Sequence, residues 1–236
     1  MNGLFLAASG AASQLQALDI SAYNLANAST PGFRRFALVA DAVSKAPSPY
    51  EYAAVEASAP RLDMAQGPLR DTGNPLDVAV AGPGFIRVQG PQGEAYTRNG
   101  QLELSPDGTL LAAGHPVVSE GGDPITVPAG DIMIAADGSI TVNGQPTARI
   151  GLADPKGATI APAGGSLYRS ADGERLPAAE TGSELRQGFL EDSGGNPITG
   201  VVEMIRIMRG YESAMRAVQT IDQSQERTIQ ALTLRA

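Results

Sequence analysis

Apolar residues recur near the start of the chain in alternating steps of four and three, at Leu4, Ala8, Ala11, Leu15, Leu18, Ala22 and Leu25. That spacing predicts an N-terminal helix carrying an a/d-type seam for about three heptads, the pattern of helices that lie side by side. Asn2 is a suitable N-cap, and Ser29-Thr30-Pro31-Gly32 stops the helix, because Pro31 disfavours the α region at Thr30. Alanine at three seam positions predicts close helix–helix contact. The C-terminal stretch repeats the pattern. Asn196-Pro197 reads as an N-cap followed by proline at the first helical position. Val201, Met204, Met208, Tyr211, Met215 and Val218 then step by three and four. The seam meets polar Asp222 and Gln225 and returns at Ile229 and Leu232. Such a helix runs past about 30 residues, or roughly 45 Å at 1.5 Å per residue. Glu212 and Arg216 form a well-oriented i,i+4 pair, worth only about 0.2–0.5 kcal/mol.

Between the ends, glycine and proline punctuate short strand-like runs: Leu76-Asp77-Val78-Ala79-Val80, Phe85-Ile86-Arg87-Val88, Gln101-Leu102-Glu103-Leu104 and Ser139-Ile140-Thr141-Val142. Asp107-Gly108, Asp137-Gly138, Asn143-Gly144 and Asp172-Gly173 are hairpin dipeptides, since both residues tolerate positive φ. The fold class expected is therefore α+β. Long N- and C-terminal helices pack as a coiled-coil-like assembly domain and flank a central antiparallel all-β domain. The divisions expected are an N-terminal helix and loop over 1–33, an extended connector over 34–70, the β domain over 71–192, and over 193–236 a C-terminal helix that pairs with the first. Ala46-Pro47-Ser48-Pro49-Tyr50 gives the connector its linker character.

Composition narrows the chemistry. The chain has 236 residues, enough for one large or two small domains, and its 42% hydrophobic content together with 28 Gly supports an ordinary core. With 25 acidic and 17 basic residues the net charge is −8, which disfavours nucleic acid and anionic membrane as partners. Cysteine is absent, so disulfides, thiolate metal sites and Cys nucleophiles are excluded together. No apolar run approaches the ~20 residues of a membrane span, so direct membrane insertion is not expected. No Lys or Arg precedes Arg34, so the basic n-region of a secretory signal is missing and the N-terminus is expected to stay on the mature protein.

Catalytic patterns are sparse. A Ser-His-Asp triad would have to use His115, the only imidazole, which lies in the turn-like Gly114-His115-Pro116, and there is no Gly-x-Ser-x-Gly elbow. One His without Cys is a poor basis for zinc, and none of the Asp-Gly pairs sits in a calcium loop. Gly82-Pro83-Gly84 precedes a strand instead of a helix and reads as a tight turn. No catalytic, cofactor or metal residue is assigned. A carboxylate pair for glycoside hydrolysis stays open, because only spatial separation decides it.

Several ordered landmarks resemble the bacterial flagellar rod and hook protein family. At the N-terminus they are Ser9-Gly10-Ala11 and the run Asn24-Leu25-Ala26-Asn27-Ala28-Ser29-Thr30-Pro31-Gly32-Phe33-Arg34. Thr72-Gly73-Asn74-Pro75-Leu76-Asp77 follows, then Gly82-Pro83-Gly84-Phe85 and Tyr96-Thr97-Arg98-Asn99-Gly100. The C-terminal set is Gln187-Gly188-Phe189-Leu190-Glu191, Asn196-Pro197, Glu203-Met204-Ile205, Arg209 with Tyr211-Glu212, and Gln219-Thr220-Ile221-Asp222. The resemblance covers nearly the whole chain and is weakest over 34–70. Gly114-His115-Pro116-Val117 with Glu120-Gly121-Gly122-Asp123-Pro124 is most similar to the proximal rod subunit, whereas Ala217 to Gln223 also resembles the distal one. Ser193-Gly194-Gly195-Asn196-Pro197 stands where the family usually has Ser-Asn-Val-Asn-Pro.

The resemblance implies a structural subunit that assembles helically with copies of itself and with related rod subunits. It implies neighbouring basal-body and distal rod or hook components as further partners. It also implies a torque-bearing rod that crosses the periplasm and lets export substrates through, reached by flagellar type III export without a cleaved signal. The seam residues are then expected at subunit contacts, and the signature residues mark the family. The readings kept beside it are a distal rod or hook-like subunit, a periplasmic cell-wall-cleaving enzyme, and an autonomous β-rich binding module.

Overall fold

The structure, a computed structural model, describes residues 2–38, 60–156, 159–179 and 182–233. Among them the chain forms two compact units. One is built from residues 2–26, 36–38, 60–61 and 196–233, the other from 27–35 and the described part of 62–195. Most of the connector expected over 34–70, including Ala46 to Tyr50, lies outside the described residues.

The first unit is a helix pair. α1 spans Asn2–Ala26, 25 residues, and α2 spans Pro197–Thr233, 37 residues. They run antiparallel: Leu25 lies beside Gly200, and Gln14 beside Gly210. Asn196 caps α2 as its sequence predicts, its Oδ1 accepting the N–H of Ile198 at 2.9 Å and of Thr199 at 3.4 Å.

The expectation of two long helices packed as a coiled-coil-like domain is corrected. α1 is short, and its heptad seam is not the buried stripe: Ala8, Leu15 and Ala22 are exposed, while Ala11 and Ser21 are buried. On α2, Val201 and Met208 are likewise exposed, while Gly200, Met204, Ile207 and Tyr211 are half-buried. The inward positions thus slip by one residue at alternate steps. The reason is side-chain size: glycine at 200 and 210 opposite Leu25 and Gln14 lets the backbones approach without knobs filling holes. The α+β class itself stands.

The second unit is antiparallel β throughout its named pairings. Its largest sheet has five strands, in the order Leu152–Ala153, Phe85–Gly90, Gly93–Thr97, Leu167–Ser170, Ile160–Gly164. Both faces of the strand Phe85–Gly90 are covered. Ile86 and Val88 enter the main core with Val78, Leu110, Ile140 and Ile150, while Phe85 enters a second core with Tyr96, Tyr168 and Leu176. This is the period of two expected of a strand, with apolar partners on either side.

Three-stranded meanders flank it, one of them Ile132–Ile134, Ser139–Val142 and Gln145–Arg149. The turn between its last two strands is Asn143-Gly144, with φ of 50° and 78°. Two positive φ values in succession are what a type I′ hairpin requires, hence asparagine and glycine there. His115 opens the short strand His115–Pro116, and the turn lies one step earlier, at Ala113-Gly114.

Candidate functional site

Within the β unit, residues 27–35 act as an inserted segment that ends on a buried charge cluster. The chain turns at Asn27, whose carbonyl accepts the Thr30 N–H at 3.0 Å, and again at Thr30, which accepts the Phe33 N–H at 3.2 Å. Gly32, with φ of 66°, donates its N–H to the Glu191 carbonyl at 2.7 Å. Phe33 is buried, and its carbonyl accepts the Gly194 N–H at 3.3 Å. The Arg34 N–H donates to the Tyr168 hydroxyl at 2.8 Å.

Glu191 is the hub. Its Oε1 receives Arg34 Nη1 at 2.9 Å and the Gly67 N–H at 2.8 Å, and its Oε2 receives Arg98 Nη1 at 3.1 Å. All three side chains are 1% exposed, so two guanidinium groups share one carboxylate out of water. Arg98 also donates to the Val80 and Gly82 carbonyls and stacks its guanidinium 4.9 Å from the Phe85 ring centroid. Burial, and then the nearby Arg34 charge, push the Arg98 pKa down to about 10 against the pull of Glu191. Buried charges of this kind persist only when paired and hydrogen-bonded. The cluster therefore fixes the geometry of Arg34, Arg98 and Glu191 together.

Other signature residues have definite local roles. Gly73 donates its N–H to Asp71 Oδ1 at 3.0 Å. Asn74 accepts the Leu76 N–H on Oδ1 at 3.2 Å and donates Nδ2 to Asp77 at 3.1 Å, forming an Asx turn. The Gly84 N–H meets Ser183 Oγ at 2.8 Å, and Phe85 stands edge-on to Tyr168 with centroids 5.7 Å apart.

In the helix unit, Asn24 clasps the backbone of Phe36. Its Nδ2 donates to the Phe36 carbonyl and its Oδ1 accepts the Phe36 N–H, both at 2.8 Å. Tyr23 stacks tilted against the Phe36 ring at 5.7 Å. Ala26, the last residue of α1, is exposed, as is Pro197 at the start of α2. Tyr211 is half-buried, whereas Glu212 is exposed and pairs with Arg216 at 3.6 Å.

The predicted subunit-packing residues divide by environment. Ala11, Leu18, Leu25, Met204, Tyr211, Met215 and Val218 are buried or half-buried in the unit, and Ala8, Leu15, Ala22, Val201 and Met208 are exposed. The side chains of Leu4, Ile229 and Leu232 lie outside the described residues. Sequence reasoning passed over Ile198, Val202 and Ile205, which are 76%, 63% and 47% exposed. With Val201 and Met208 they complete an apolar stripe on the outer face of α2, at spacings of three and four. The signal was present as the β-branched residues Ile198, Thr199, Val201 and Val202 in the first turns of the helix. It also passed over the convergence of Arg34, Arg98 and Glu191. The only trace was a charge set directly beside an apolar or strand-forming residue in each landmark.

His115 is half-exposed, beside Asn27, Thr30 and Asn99 in one shallow depression. Among the described residues no group of three His, Asp or Glu is placed to hold a metal ion, and no helix is long and apolar enough to cross a membrane.

Three family descriptions match the chain in order. "Flagella basal body rod protein" matches residues 4–34, "Flagellar hook protein FlgE/F/G D1 domain" matches 79–142, and "Flagellar basal body rod FlgEFG protein C-terminal" matches 186–231. The chain is similar to the flagellar basal-body rod protein FlgF of Salmonella typhimurium, 38% identical over 99% of this chain and 100% of the relative. FlgF of Escherichia coli is 37% identical over 99% and 100%. The rod protein FlgG of Buchnera aphidicola subsp. Schizaphis graminum is 29% identical over 93% and 95%. The first match contains α1 and the inserted segment up to Arg34, and the last contains Glu191 and most of α2.

Proposed function

The chain belongs to the flagellar basal-body rod protein family, and on that premise we propose how it works as a structural rod subunit. It joins its neighbours through the outward faces of its two terminal helices. The observation that carries this is the stripe Ile198, Val201, Val202, Ile205 and Met208, an exposed apolar face on a helix whose other side is already covered by α1. Covering each such side chain contributes about 1.5–3 kcal/mol, so a handful per contact is enough to hold subunits together. Ala8, Leu15 and Ala22 offer a second, narrower face on α1.

A surface on one subunit that meets a different surface on the next propagates as a helix instead of closing on itself. Load is then spread over many lateral helix contacts, as a torque-transmitting shaft through the periplasm requires. The β unit keeps its own core. The proximal rod position is supported by three FlgF relatives at 33–38% identity, with two more at 29–30%, against 27–29% for the FlgG relatives. Delivery by flagellar type III export, and contact with hook-side and other basal-body components, are part of the same proposal. Basal bodies purified from cells producing the chain test it. The chain is expected as a fixed component that survives the detergent and alkaline steps, and its absence from complete basal bodies would overturn the reading.

A further inference from the structure

Among the described side chains of α1, the exposed ones are Ala8, Ala12, Leu15, Asp19, Ala22 and Ala26. Their steps of four and three keep all six within about 80° round the helix axis, at about 100° per residue. Four are alanine, and Asp19 is the only charged residue in the helix. A face turned to solvent is ordinarily rich in charged and polar side chains. This one is smooth except for a leucine and a single carboxylate.

The outward face of α2 is its complement. Ile198, Val201, Val202, Ile205 and Met208 supply bulk, and Arg209, also exposed, continues the line about 40° round from Ile205. Glu212, further along the same face, is already taken by Arg216. Among the described residues neither Asp19 nor Arg209 has an ion-pair partner. Within one copy α1 shows α2 a different flank, with Gln14 beside Gly210 and Leu25 beside Gly200.

We propose that the α2 face of one copy docks on the α1 face of a second copy, with Arg209 of the first paired to Asp19 of the second. This rests on the rod reading and names which surfaces meet. Copies that share one axial direction bring α1 antiparallel to α2, as within the copy. With Asp19 level with Arg209, Ala26 comes level with Val202 about two turns on, and Ile205 falls between Ala22 and Ala26. Alanine lets the helices approach, and the branched side chains fill the space between them. The apolar cover holds the contact, while the single ion pair selects the partner face and its register. Because unlike faces meet, each docked copy leaves one of either kind open for the next.

The chain has no cysteine, so introduced thiols report on this contact without background. Cells co-produce Asp19→Cys and Arg209→Cys copies, and their purified basal bodies are treated with a short thiol-reactive cross-linker. A cross-linked pair of copies is expected, and none when either variant is produced alone. Asp19→Arg and Arg209→Asp are each expected to lower the number of copies per basal body several-fold, and combining them is expected to restore most of it. Two independent losses would add instead. Basal bodies that hold both cysteine variants and yield no pair overturn the proposal, as does a doubly reversed chain no better than the worse single one. A pair formed by one variant alone also overturns it, since like faces then meet. The cysteine arm holds even if a charge reversal fails to fold. Absence of the wild-type chain from basal bodies refutes the rod reading, whereas its presence without the cross-linked pair refutes this contact alone.

Discussion

Gly32 lies against the backbone of Arg98: a Cβ added to Gly32 would stand 2.1 Å from the Arg98 carbonyl carbon and 2.2 Å from its oxygen. The inserted segment can reach Glu191 only because nothing projects there. Gly32→Ala therefore fails twice, in the left-handed conformation, which costs about 1–2 kcal/mol, and in contact with main chain that cannot move aside. We expect urea unfolding of the purified protein to show a loss above that range. A loss under about 0.5 kcal/mol would mean that the segment is not seated as described.

Removing the Glu191 charge should be severe. Glu191→Gln leaves two buried guanidinium groups without a counter-ion, and breaking a buried pair costs about 3–5 kcal/mol. Glu212→Gln removes an ion pair that is exposed on both sides and should change stability by less than about 0.5 kcal/mol. Equal effects in the two variants would contradict the placement of Glu191.

These two sites also show what the sequence could and could not convey. The Asn143-Gly144 hairpin and the strand at Phe85 to Val88 were legible, because turn chemistry and apolar runs are local signals. The cluster was not. Arg34, Arg98 and Glu191 are far apart in the chain, and a single sequence gives no sign that three charges meet. The helix faces were misjudged by one position for a different reason. α1 is rich in alanine, so its apolar residues outline more than one stripe, and the inward one places polar Gln14 against Gly210 and Leu25 against Gly200 while apolar Leu15 faces out. Small inward residues carry no hydrophobic signal.

Alkaline pH should loosen the second β core. Burial pushes the Tyr96 phenol up to about 12, although its hydrogen bond from the Leu176 N–H acts the other way. Its folded pKa lies above the unfolded value of about 10, so its contribution is fully present below pH 10 and is lost as pH rises through about 12. Arg98, lowered to about 10, acts in the opposite sense over the same window. The comparison of wild type with Tyr96→Phe isolates the phenol. Stability of the wild type should fall more steeply over this range, and parallel curves would refute the assignment.

Outward substitutions should separate folding from assembly. Ile205→Asp and Met208→Asp alter side chains 47% and 46% exposed, so circular dichroism and Tm of the isolated chain should hardly change. Incorporation into basal bodies should be lost, because each places a carboxylate in a contact that needs apolar cover. Leu15→Asp tests the α1 face in the same way. Normal motility in cells whose only copy carries one of these changes would remove that face from the assembly surface.

The central claim is that this chain is a building block of the rod. Its most direct test is electron microscopy of purified basal bodies carrying a labelled copy of the chain. We predict label on the rod itself, between the inner-membrane ring and the distal rod. A complete rod bearing no label would contradict the account.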